Sequence, residues 1–178
     1  GAVKGRAGVG VRYAPNPDLN IDAVVNPDFS QVESDASQIS VNTTFALFYP
    51  EKRPFFQLGK DLFSTRIDAY YSRMINDPLA AAKVTAKSGK MSIAYLGAQD
   101  RESPVIVPGE DGSDFISTGR QSFSNILRTR YDFGDEAFIG ALLSTRNFSG
   151  AHNYLAGIDW NYLFWGNYYF EGQALYSN

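Results

Sequence analysis

The sequence predicts an all-β chain, an antiparallel transmembrane β-barrel or part of one, on three observations. Apolar and polar residues alternate with period two through most of the chain. Aromatic side chains gather where the alternating runs end, as girdles do at a membrane interface. Short turns also alternate with longer connections, the pattern of barrels with short turns at one rim and long loops at the other. The 178 residues suffice for one domain with a core, expected to span residues 1–178. Hydrophobic residues at 44% and charged residues at 20% exclude a disordered or fibrous chain. A net charge of −3 argues against a nucleic-acid partner, which calls for a basic patch. Cysteine is absent and His152 is the sole histidine, which disfavours thiol chemistry, Cys-ligated zinc and a histidine relay. No apolar run is long enough for a transmembrane helix. No basic segment followed by an apolar stretch opens the chain, as in a mature exported protein or an excised fragment.

About ten strands follow in order, a length and number suited to a membrane barrel. They are read at residues 6–13, 19–26, 38–49, 66–72, 82–87, 91–99, 123–133, 137–146, 154–162 and 168–176. In the second, Leu19, Ile21, Ala23 and Val25 oppose Asn20, Asp22 and Asn26. In the last two, Tyr154, Ile158 and Tyr162 oppose Asp159 and Asn161, and Tyr168, Phe170 and Tyr176 oppose Glu171 and Gln173. Residues 137–143 are apolar on both faces, so their orientation stays open. Short turns are expected at 16–18, 88–90, 134–136 and 164–167, and longer loops at 27–36, 101–121 and 147–152. Residues 50–64 break the rhythm. Pro50 and Pro54 exclude a central strand, and Phe55, Phe56, Leu58, Leu62 and Phe63 are too apolar for a solvated loop. This connection is expected to plug the lumen or pack at its mouth.

The polar face proposes a lumen lining of Asp22, Arg66, Asp68, Lys83, Lys87, Arg128, Arg130, Asp132, Asp159 and Glu171. Its signs are balanced, which suits salt-bridge ladders between strands better than an ion-selective filter. Glu51, Lys52 and Arg53, with Phe55 and Phe56, are read as a plug or rigid turn element. Asp111 and Asp114, in a glycine-flanked acidic loop, are calcium candidates only by composition, because EF-hand spacing is missing. Asp28, Glu33 and Asp35 invite the same reading. Ser149, His152 and Asn153 suggest a hydrolase, yet they crowd one short loop with no orienting partner. No cofactor is expected.

Several phrases resemble one family. They are VNPDFSQVESD (Val25 to Asp35), FYPEKRPFF (Phe48 to Phe56), YYSRMI (Tyr70 to Ile75), KVTAKSGKMSIAYLGAQ (Lys83 to Gln99) and LRTRYDFG (Leu127 to Gly134). The chain is similar to bacterial outer-membrane barrels of unknown function that follow an N-terminal family 9 carbohydrate-binding-like domain. Gln57-Leu58-Gly59 replaces that family's Leu-Glu-Gly, and Met74 stands where a second arginine is frequent. The resemblance implies strands before Gly5 and after Asn178, so these residues are expected to be a fragment of a larger barrel. It implies a Gram-negative outer membrane, contact with its lipid, partner proteins of a membrane complex and a link to glycans. The expected function is solute transport through a porin-like channel, or a scaffold, without enzymatic activity. The alternatives are a soluble β-sandwich carbohydrate-binding module stacking sugars on Trp160 and Trp165, and, more remotely, an outer-membrane hydrolase.

Overall fold

The computed structural model describes residues 7–29, 51–70, 72–102, 104–109, 112–117, 119–134, 136–148, 150–166 and 168–178; of residue 73, and of residues 104–109 and 112–117, it describes the backbone only. Period two becomes eight antiparallel strands in one sheet. They are β1 (Val9–Asn16), β2 (Leu19–Val25), β3 (Pro78–Ser88), β4 (Met91–Asp100), β7 (Ser122–Asp132), β8 (Phe138–Phe148), β9 (Ala151–Phe164) and β10 (Tyr168–Ser177), adjacent in that order. A separate hairpin of β5 (Pro104–Gly109) and β6 (Gly112–Ser117) lies in the connection from β4 to β7. The sheet is open, with β1 and β10 each pairing on one side only among the described residues.

Register assigns the faces, because paired residues point the same way. One row runs Arg12, Asp22, Lys83, Leu96, Ile126, Ser144, Leu155 and Ser177 across all eight strands. A neighbouring row runs Lys87, Ser92, Arg130, Gly140, Asp159 and Gln173. This is the covered face, since residues 51–70 and 72–77 cross it, with Phe55, Phe56, Phe63 and Ile75 packed on it. The opposite, bare face carries Val11, Ile93, Tyr131, Leu143, Ile158 and Phe170, all exposed. Every Asp, Glu, Lys and Arg of the eight strands stands on the covered face.

The core lies between the covered face and the crossing segment. Phe55, Phe56, Phe63 and Ile75 of the segment meet Ala81, Ala94, Leu96, Ala98, Ile126 and Leu142 of β3, β4, β7 and β8. Burial of each phenylalanine is worth about 1.5–3 kcal/mol, enough to hold the segment down. It also resolves β8, where Leu142 turns to this core and Ile139 and Leu143 to the bare face.

Several expectations need correction. The strand expected at 66–72 is absent among the described residues: Arg66 to Tyr70 are irregular, and a 3-10 turn stands at Ser72–Met74. Their alternation was too short to specify a ladder, and side chains satisfy part of this backbone instead. The loop expected at 147–152 is largely strand, since β8 runs to Phe148 and β9 starts at Ala151. Part of 101–121 forms the β5–β6 hairpin. The strand expected at 38–49 lies outside the described residues.

Candidate functional site

The crossing segment starts with local signals. Pro54 opens the helical turn α1 (Pro54–Gln57), where its missing N–H and fixed φ cost nothing. Gly59, at φ +68°, then reverses the chain into a 3-10 turn at Lys60–Phe63. These turns put Phe55, Phe56 and Phe63 on the sheet side.

Arg53 organises the root. It is 1% exposed, a burial that an arginine sustains only when its fork is satisfied. Nε and Nη2 donate to the two Glu51 carboxylate oxygens at 2.8 and 2.7 Å. Nη1 donates to the Ile75 carbonyl at 2.6 Å and Nη2 to the Ser72 carbonyl at 3.0 Å. The guanidinium lies 4.2 Å from the Phe56 ring centroid, a cation–π distance. The Ser72 hydroxyl donates to Glu51 Oε2 at 2.5 Å. Burial pushes the Glu51 carboxyl up, but its bonds from Arg53 and Ser72 and the arginine charge outweigh burial and hold it below the usual range. Burial raises the Tyr70 phenol, against the Arg53 charge and with that of Glu51.

Two strand residues receive the root. Lys83 Nζ donates to the Phe55 and Leu58 carbonyls, both at 2.5 Å. Asp100 accepts from the Asn76 and Asp77 amides at 2.7 and 2.6 Å, fixing the return of the chain toward β3. At the far end, Arg66 forms an ion pair with Glu171, and the Gln173 amide bonds both the N–H and the C=O of Ile67. The segment thus spans from β3 to β10.

Further along the covered face, Arg128 donates from both Nη atoms to both Asp159 oxygens, at 2.5 and 2.7 Å, and both residues are buried. The pair joins β7 to β9 over β8, where Gly140 leaves the space: a Cβ there would collide with both partners. Arg130 pairs with Asp132 at 2.7 Å and stacks 3.9 Å from Phe138. Arg12 pairs with Asp22 at 2.6 Å. A cavity of about 230 Å³ between segment and sheet is lined by Glu51, Lys60, Asp68, Tyr70 and Lys83 among others.

Eight of the ten charged residues singled out from the sequence stand on β-strands of the covered face. Arg66 and Asp68 do not; they belong to the crossing segment. Glu51, Arg53, Phe55 and Phe56 come together at the root, whereas Lys52 is exposed. Asp111 lies outside the described residues, as do the side chain of Asp114 and residues Glu33 and Asp35. No cluster of three His, Cys, Asp or Glu side chains fit to hold a metal occurs among the described residues. His152 stands exposed on β9, on the bare face and 5.0 Å from the Tyr154 ring, while Ser149 lies outside the described residues. Sequence reasoning missed Asp100, Ser72 and Gly140, and placed Gln173 on the polar face without a role. Extending the strand parity would have put Asp100 on the polar face; nothing local marks Gly140.

Fold and site define a class: an antiparallel β-sheet protein, all-β apart from short helical turns, with charge confined to one face and a connection strapped across it. The chain belongs to the family described as Domain of unknown function (DUF5916), whose model matches residues 2–101. No curated protein and no solved structure matches the chain.

Proposed function

We propose that the chain forms part of the wall of a β-barrel in a bacterial outer membrane, with its bare face toward lipid and its covered face toward the lumen. In this reading the barrel is a channel or scaffold for polar solutes and has no enzymatic activity. The sorting of charge carries the reading. A sheet face in water ordinarily bears charged side chains, yet the bare face has none on any strand and exposes aliphatic and aromatic residues throughout. Hydrocarbon is the solvent such a face fits. Aromatic anchors support the same assignment. Trp165, 87% exposed in the hairpin between β9 and β10, lies 5.4 and 6.2 Å from the rings of Phe164 and Tyr168, as expected of an interfacial belt. The alternating ion pairs of the covered face fit a wetted wall with no single sign. Membrane residence requires the β1 and β10 edges to be paired by further strands. Glycan fragments are the solute class favoured by the family resemblance, an analogy rather than a site.

Fractionation of the source membranes tests this reading. The expected result is a heat-modifiable species that needs detergent for extraction and conducts in liposomes. Recovery as a water-soluble monomer without detergent would overturn it and favour a soluble sandwich that binds glycans.

A further inference from the structure

The crossing segment is held differently at its two ends. Its root is buried, with Arg53 saturated by Glu51, Ser72 and Ile75 and with Phe55 and Phe56 in the core. Its tip, residues 64–68, is largely exposed. Among the described residues, the polar contacts between tip and sheet all go to edge strand β10. They are the Arg66–Glu171 ion pair, with both side chains about half exposed, and the Gln173 amide. That amide accepts from the Ile67 N–H at 2.6 Å and donates to the Ile67 carbonyl at 3.2 Å. Exposed contacts of this kind hold weakly and compete with water. The tip also carries its own shape, because Thr65 Oγ1 donates to the Ile67 carbonyl at 2.7 Å and accepts from the Ala69 amide at 3.3 Å. Beside it lies space rather than packing. Cavities of about 220 and 280 Å³ meet at Ser64, walled by Lys87, Arg128, Arg130, Asp132 and Asp159.

We propose that residues 64–68 are a gate over a polar passage along the covered face. The gate is latched by Glu171 and Gln173 and swings about the fixed root at residues 53–57. This rests on the barrel reading above. Releasing the latch frees a preformed turn and joins the two cavities, whereas releasing the root would expose the phenylalanine core.

The test uses the full-length protein in liposomes with Ser92→Cys as reporter. Ser92 lines the 220 Å³ cavity, and these 178 residues hold no other cysteine; any elsewhere in the protein is replaced. A cationic, membrane-impermeant methanethiosulfonate reagent reads access to this thiol, and solute influx is followed in the same preparations. The Glu171→Gln/Gln173→Ala variant is expected to raise the modification rate about tenfold, the scale of one exposed ion pair plus weak hydrogen bonds. In the unaltered protein, the Ile67 amide is expected to exchange about a hundredfold faster than those of Phe56 and Gln57, both bonded to the Arg53 carbonyl. Unchanged modification together with equal exchange at tip and root overturns the gate. If influx occurs under those conditions, transport stands without it. Faster modification with no influx in any preparation supports the moving tip and overturns transport instead.

Discussion

Arg128 and Asp159 show how one glycine decides the fate of two charges. Their bidentate pair crosses β8 only because Gly140 has no Cβ. Gly140→Ala is expected to push the pair apart and cost about 1–3 kcal/mol, the range for overpacking a fitted site. Arg128→Ala is expected to cost about 3–5 kcal/mol, because it leaves a buried carboxylate alone. Urea unfolding midpoints measure both. Glu51 supports a pH prediction. Its folded-state pKa lies below the ordinary 4.5, so its stabilisation is fully present above that value and is lost as pH falls through the lower folded-state value. The Phe56 amide should therefore exchange faster as pH drops below about 4.5, relative to intrinsic rates, and Glu51→Gln should flatten that profile.

At the scale of elements, the crossing segment and strand β3 depend on each other. Lys83 is the link, bonding two carbonyls that α1 and its C-terminal turn leave open. Lys83→Met keeps the length and the apolar stem but removes both bonds. The expected loss is about 1.5–3 kcal/mol, the scale of bonds to a charged group. Faster limited proteolysis at residues 58–68, with the sheet intact, is the readout. The irregular course of residues 66–70 belongs to this scale too. Among the described residues Ile67 and Ala69 have no strand neighbour, and Gln173 and Thr65 bond their backbone instead. A short alternating run carries no record of which partner will be in reach.

For the whole molecule, the decisive quantity is what the bare face touches. Ile158 lies near the middle of β9 on that face and is half exposed. In a barrel, Ile158→Arg is expected to cost about 2–4 kcal/mol near the bilayer midplane, read as lost insertion into liposomes, while Ile158→Val inserts normally. If Ile158→Arg folds and inserts as well as Ile158→Val, lipid does not lie against this face.

Period two by itself determined the β class and the polar and apolar faces of β2, β3, β7, β9 and β10, and turn-forming residues marked the four short hairpin connections at one end. Alternation is a local property, and a strand cannot change it without moving every side chain to the other face. The apolar interruption at Phe55, Phe56 and Phe63 likewise marked residues that need cover. Tertiary structure alone decided where that cover lies, which charges pair, and that Gly140, Asp100 and Gln173 matter. Those outcomes depend on register across strands distant in sequence and on a segment crossing from β3 to β10. Such contacts exist only once the sheet has brought their partners together, and no single run of residues contains both sides of them.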